Sequence, residues 1–133
     1  MDVATSGHAA ALWVGLNLFV LLVLSLLVVR LRRRHKVELG DGGVPELTHA
    51  IRAFGNATEY VPAGMAALAT LAIVAAPPLA IHIAGFLLFA GRVLHGYGLS
   101  RSGGASLPRA IGIVLTWLSY VFAGSALLFY AIL

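Results

Sequence analysis

Arg52, Asn56 and Glu59 stand at i, i+4 and i+7, so on a helix they share one face. Glu59 then lies about 10 Å farther along the axis than Arg52. Arg92 and His95 form a second pair at i, i+3. Arg30 and Arg109 stand at the edges of long apolar stretches. Guanidinium groups near helix amino termini make an anion site, because free backbone N–H groups and the helix dipole add to their charge. Arginine also grips carboxylates in planar, two-point contacts. Glu59 or Glu46 would receive an amine. Such a set suits a small dianionic molecule carrying one ammonium group. A structural role competes with binding for one pair: Glu59 and Arg92 fall at similar depth, and are expected to approach each other within a chain or across a subunit interface.

The elements that must position these groups are apolar helices. Of 133 residues, 60% are hydrophobic and 11% charged, and the mean hydropathy is +0.95. Soluble domains are about one quarter charged, and disordered chains are poor in large apolar residues. The length suits one domain, residues 1–133. Residues 9–29 are 21 positions without a charge, and about 20 apolar residues span a bilayer core. The basic run Arg30 to Lys36 follows, then a loop rich in glycine with Pro45. Residues 60–91 lack Asp, Glu, Lys and Arg but hold Pro77-Pro78, which no regular helix interior accepts. Pro108 suits the first turn of a last helix, and residues 110–133 are 24 positions without a charge. The expectation is an all-α integral membrane protein, an up-down four-helix bundle with helices near 9–31, 48–75, 79–99 and 108–132.

In that arrangement all nine Lys and Arg residues fall in the first and third connections or beside them. By the positive-inside rule those loops are cytoplasmic and both termini lie outside. The basic cluster follows the first apolar run, and Met1 to His8 holds Asp2 but no Lys or Arg, so that segment does not read as a cleavable signal peptide. Arg32, Arg33, Arg34 and Lys36 read as a topology signal and as contacts for phospholipid headgroups. The positive charge is thereby explained without nucleic acid.

The segments Arg30-Leu31-Arg32, then Ala50-Ile51-Arg52-Ala53-Phe54-Gly55-Asn56-Ala57-Thr58-Glu59-Tyr60-Val61-Pro62, then Gly91-Arg92-Val93-Leu94-His95 together resemble the MAPEG family, the membrane-associated proteins in eicosanoid and glutathione metabolism. The likeness runs from the first helix to the fourth and is nearest to the short bacterial members. It implies a homotrimer of four-helix subunits in the bacterial inner membrane, with glutathione as co-substrate between neighbouring subunits near the cytoplasmic face. Carried over by position, Arg30, Arg52, Asn56 and Glu59 resemble glutathione contacts, and Arg92 and His95 match the helix-three motif. Arg109 resembles the arginine that stabilises the glutathione thiolate. A nearby cation does lower a thiol pKa from its ordinary value of about 8.5. Two places depart from the eicosanoid branches: Ala110 stands where the prostaglandin-synthase branch has a Ser directly after the helix-four arginine, and Leu99 where eicosanoid-forming members have a Tyr seven residues after the helix-three arginine. Tyr97 is two positions away, about 200° around the helix.

The resemblance implies a glutathione transferase or glutathione-dependent peroxidase acting on a lipophilic small molecule. Two other readings compete: a small-molecule transporter with Glu59 as its titrating group, and a membrane protein that binds without chemistry. The first helix carries no acid within its span, unlike small multidrug exporters. With no cysteine, any thiol must come from a ligand. His35 and His49 are not spaced as a metal pair, and no metal is expected. Trp13, Trp117, Tyr120, Tyr130 and His82 read as packing or interfacial residues.

Overall fold

A computed structural model describes residues 3–132 of the chain. Met1, Asp2 and Leu133, counted above in the first segment and the last apolar run, lie outside the described residues. Four helices follow one another: α1 Val3–His35, α2 Pro45–Ile73, α3 Pro78–Arg101 and α4 Leu107–Ile132. Among the described residues there is no strand. Helices α1, α3 and α4 are long and apolar enough to cross a membrane. Helix α2 has the length, at 29 residues, but Glu46, Arg52 and Glu59 interrupt its apolar run.

The sequence places the helices correctly but clips α1, which starts at Val3 and runs on through the arginine cluster to His35. Charged residues there cost the helix nothing, since cations favour a helix carboxyl end. Helix α2 starts earlier than expected because Pro45 fits its first turn, where a missing N–H is no loss. Both α1 and α2 end in the same way. Lys36 and Ala75 take left-handed backbone angles, φ +54° in each. The next amide then reaches back five residues, Val37 to the Arg32 carbonyl and Ala76 to the Leu71 carbonyl. This satisfies carbonyls that the helix end would otherwise leave bare.

Consecutive helices run antiparallel. Ser6, at the start of α1, donates to the Ala76 carbonyl beyond the end of α2 at 2.7 Å. At the other end Leu31 of α1 packs with Leu47 and Ala50 of α2. The α1–α2 and α3–α4 loops therefore share one end of the bundle. There Arg32 donates to the Gly40 carbonyl at 2.7 Å, His35 pairs with Glu46, and Asp41 accepts from Thr48 at 2.8 Å.

The core is built from small residues. Ala53, Ala57 and Val61 of α2 are buried with Leu24 and Leu99. Ile81, Ala84 and Leu88 of α3 pack with Leu68 and Leu71 of α2. Helices α3 and α4 come closest at Gly91 and Gly112. A Cβ added at Gly112 would lie 2.4 Å from the His95 nitrogen, and one at Gly91 would lie 2.8 Å from the Gly112 carbonyl oxygen. Within a membrane, close backbone approach of this kind supplies the contact that apolar burial cannot. Trp13 behaves as expected of a packing residue: it donates to His82 at 3.0 Å and rests against Phe86 and Phe89.

Candidate functional site

The site begins with Arg92, which is 1% exposed. It lies mid-way along α3, inside the bundle. A charge there must be paired or hydrogen-bonded to be tolerated. Its Nη1 donates to Asn56 Oδ1 at 2.8 Å and its Nε to Thr116 Oγ1 at 2.9 Å. Its guanidinium carbon stands 5.0 Å from the centre of the Tyr60 ring, a cation–π distance. Thr116 in turn donates to the Gly112 carbonyl at 2.8 Å, and Tyr120 donates its hydroxyl to the Tyr60 carbonyl. One side chain of α3 thus ties α2 to α4.

The ion pair expected between Glu59 and Arg92 does not form within the chain. Among the described residues the ion pair is His35–Glu46, and Glu59 is exposed. The reason is angular. Asn56 lies three positions before Glu59 and faces α3, whereas Glu59 turns outward with Arg52, which is also exposed. A neutral amide therefore takes the place that a carboxylate was expected to fill.

Above this network opens a cleft of about 440 Å³ lined by Asn56, Tyr60, His95, Ser106, Arg109 and Ile113, with Ala105 and Ala110. It lies against the amino terminus of α4. That end sits close on α3 because position 98 is glycine: a Cβ there would lie 2.7 Å from the Arg109 nitrogen. Arg109 donates Nη1 to the carbonyls of Gly103 and Gly104, at 3.3 and 3.2 Å. These bonds hold the guanidinium over the cleft through one nitrogen. Its other donors make no hydrogen bond among the described residues. Ser106 Oγ is buried in the same wall without a partner; Arg92 Nη2 also lacks one but lies outside the cleft lining. Unmet buried polar atoms are uncommon in folded proteins, and a ligand in the cleft that accepts hydrogen bonds would satisfy Ser106. The helix-four terminus and Arg109 together favour an anion here.

Of the seven expected site residues, Asn56, His95 and Arg109 line this cleft, and Arg92 supports it through Asn56. His95 is 5% exposed, with Gly112 against its backbone. Arg30, Arg52 and Glu59 are exposed on the outside of the same chain and do not reach the cleft. Tyr60, Ser106 and Thr116 join the site without having been singled out. Tyr60 was legible, as it follows Glu59 and lies four positions after Asn56 on the same face. Thr116 was not, because nothing in α4 alone marks it as a partner for α3. Ala110 lines the cleft as a methyl where a hydroxyl would stand in the prostaglandin-synthase branch, and Leu99 is buried in the core. Tyr97 is exposed on another side of α3.

Among the described residues no group of three His, Cys, Asp or Glu could hold a metal.

The sequence model of the MAPEG family matches residues 10–129. The inner membrane protein YecN of Escherichia coli, in two strains, is 36% identical over 121 residues, covering 91% of this chain and 91% of its own length.

Proposed function

The chain belongs to the MAPEG family, and from that membership and the cleft at the start of α4 we propose that it is a glutathione-dependent membrane enzyme. It is an integral membrane protein by its apolar helices, of a family associated with glutathione metabolism. The observation that carries the proposal is the cleft itself: Arg109, Ser106 and the α4 amino terminus face the same space as Asn56, Tyr60 and His95. Glutathione carries two carboxylates, one ammonium and a thiol. The cleft supplies cationic and N–H donors but no carboxylate for the ammonium group. Glu59 and Arg52 supply the missing charges from the outer face of α2, and Arg30 from α1, if a neighbouring copy lies against that face. The proposed assembly is therefore a homotrimer with its sites between subunits and with α2 as a fourth membrane-crossing helix near its axis. Its place is the bacterial inner membrane, as the name of the YecN relative suggests, with the α1–α2 and α3–α4 loops cytoplasmic and the termini outside.

In this reading the residues bind and orient, and Arg109 holds the thiol proton's departure favourable. The guanidinium and the helix terminus stabilise the thiolate over the thiol. The anion then attacks a lipophilic electrophile, forming a carbon–sulfur bond as the carbon's leaving group departs with its electron pair. Or it attacks a peroxide oxygen, the O–O bond breaks, the alkoxide takes a proton from water, and the resulting glutathione sulfenic acid condenses with a second glutathione to give the disulfide and water. Ala110 and Leu99 offer no hydroxyl for eicosanoid isomerisation, which favours transfer or peroxide reduction. Glutathione at millimolar concentration should raise the melting temperature of the detergent-solubilised protein and give a thiolate absorbance. Absence of both would overturn the proposal.

A further inference from the structure

A second cavity lies between α1 and α3, roughly opposite the cleft on α3 by the 100° step of a helix. It is a groove of about 430 Å³ walled by Leu16, Val20, Val23, Leu27, Phe89 and Val93. Position 96 is glycine, so the groove floor on α3 is bare backbone next to Leu24. Its walls are apolar except at Arg92, whose guanidinium is held by Asn56, Thr116 and the Tyr60 ring, and at the end nearest the loops, where Tyr97 and Ser100 line it. There Arg101 lies over the Tyr97 ring, its Cζ 5.2 Å from the ring centre, and donates Nη2 to the Tyr97 hydroxyl at 3.3 Å. No carboxylate pairs with Arg101 among the described residues.

The length of the groove identifies its occupant. Leu16 to Leu27 on α1 and Phe89 to Ser100 on α3 each span about 16 Å at the helical rise. One leaflet of a bilayer contributes about 15 Å of hydrocarbon, half of a core about 30 Å thick. The groove is thus one leaflet deep, apolar along most of its length, with Arg92 already engaged inside the bundle and a second cation, Arg101, at its loop end. We propose that it seats one acyl chain of an anionic phospholipid, with the phosphate on Arg101 and the Tyr97 hydroxyl. The site needs only that the bundle lie in a bilayer, and is independent of glutathione chemistry. A free aqueous anion would gain nothing from the apolar walls, and a neutral lipid nothing from Arg101. The ring of Tyr97 holds the guanidinium flat beside the groove, which lowers the entropy cost of gripping a phosphate.

The test is native mass spectrometry on delipidated protein titrated with phosphatidylglycerol or with phosphatidylcholine of the same chains. Phosphatidylglycerol should remain bound, one per subunit, under activation that strips phosphatidylcholine. Arg101→Ala should weaken retention about tenfold, the worth of a hydrogen bond to a charged group. Val93→Trp and, independently, Val23→Trp should abolish it by filling the groove from exposed positions. Arg33→Ala with Lys36→Ala, which removes cations of the separate α1 cluster, should leave retention unchanged. Equal retention of the two lipids would overturn the proposal. So would retention that survives Arg101→Ala or both tryptophan variants, or that is lost only with Arg33 and Lys36.

Discussion

The guanidinium of Arg92 and the side-chain amide of Asn56 meet at 2.8 Å between α3 and α2. This contact joins the buried centre of the bundle to the floor of the cleft. A neutral partner leaves Arg92 its full charge, so the interior stays electropositive beneath a site that favours anions. The pair therefore serves packing and electrostatics at once, which a carboxylate at position 56 would not.

Replacing Asn56 with Leu leaves a buried guanidinium nitrogen without its acceptor. Loss of one hydrogen bond to a buried charged group costs about 1.5–3 kcal/mol, with Thr116 and the Tyr60 ring still in place. Thermal unfolding in detergent should show a clear drop in melting temperature. Asn56→Asp should fold well and weaken anion binding, because the new carboxylate neutralises Arg92.

Arg109 touches the cleft from a half-exposed position and, among the described residues, is held by two loop carbonyls. Arg109→Ala should therefore leave the fold intact and remove the thiolate absorbance on adding glutathione. Turnover with a generic electrophile should fall by about 10² to 10³, the usual worth of one preorganised donor at a developing anion. Unchanged turnover would separate Arg109 from the chemistry.

Gly112→Ala puts a methyl 2.4 Å from the His95 nitrogen and 2.6 Å from the Gly91 carbonyl oxygen. Backbone is in the way, so the helices must separate. Overpacking of this sort costs about 1–3 kcal/mol. The cleft should widen with it, so glutathione affinity and melting temperature should fall together. Gly124→Ala, with nothing within 4 Å of its Cβ, should change neither.

Glu59 and Arg52 are exposed on α2, which also exposes Thr58, Ala63, Ala66 and Ala69. Glu59→Gln should leave the isolated subunit's helix content unchanged and reduce the trimer fraction in cross-linking or native mass spectrometry. An unaltered oligomer with unaltered glutathione affinity would place both residues outside the site.

The α1–α2 loop carries a pH dependence through Asp41. Its carboxylate accepts from the Gly43 amide at 3.0 Å and from Thr48, and these bonds hold its pKa below the ordinary aspartate value of 3.8. A lowered folded-state pKa means the ordering is fully present above the unfolded value and is lost as pH falls through the folded one. The protection of the Gly43 amide against hydrogen exchange should fall below about pH 3.8, the ordinary value. Asp41→Ala should lack that protection throughout, and Asp41→Asn, which keeps an acceptor oxygen, should lose the pH dependence.

The sequence by itself determined the helices, their order and the end of the bundle that gathers positive charge. Long uncharged runs leave no other economical structure, and Pro77-Pro78 and Pro108 mark where α3 and α4 begin, whereas the start of α2 at Pro45 came from the structure. It also selected Asn56, Arg92, His95 and Arg109, because polar groups within apolar spans are costly unless used. What it left undecided was pairing. Periodicity puts Arg52, Asn56 and Glu59 on one side of α2, but an arc of i, i+4 and i+7 is wide enough to straddle a boundary. Only the packing of α3 against α2, set by Ala53, Ala57 and Val61, turned Asn56 inward and left Glu59 outside. Thr116 entered for the same reason: Gly91 and Gly112 bring α4 close enough to reach Arg92. Those distances depend on small residues across two helices, and no single helix encodes them.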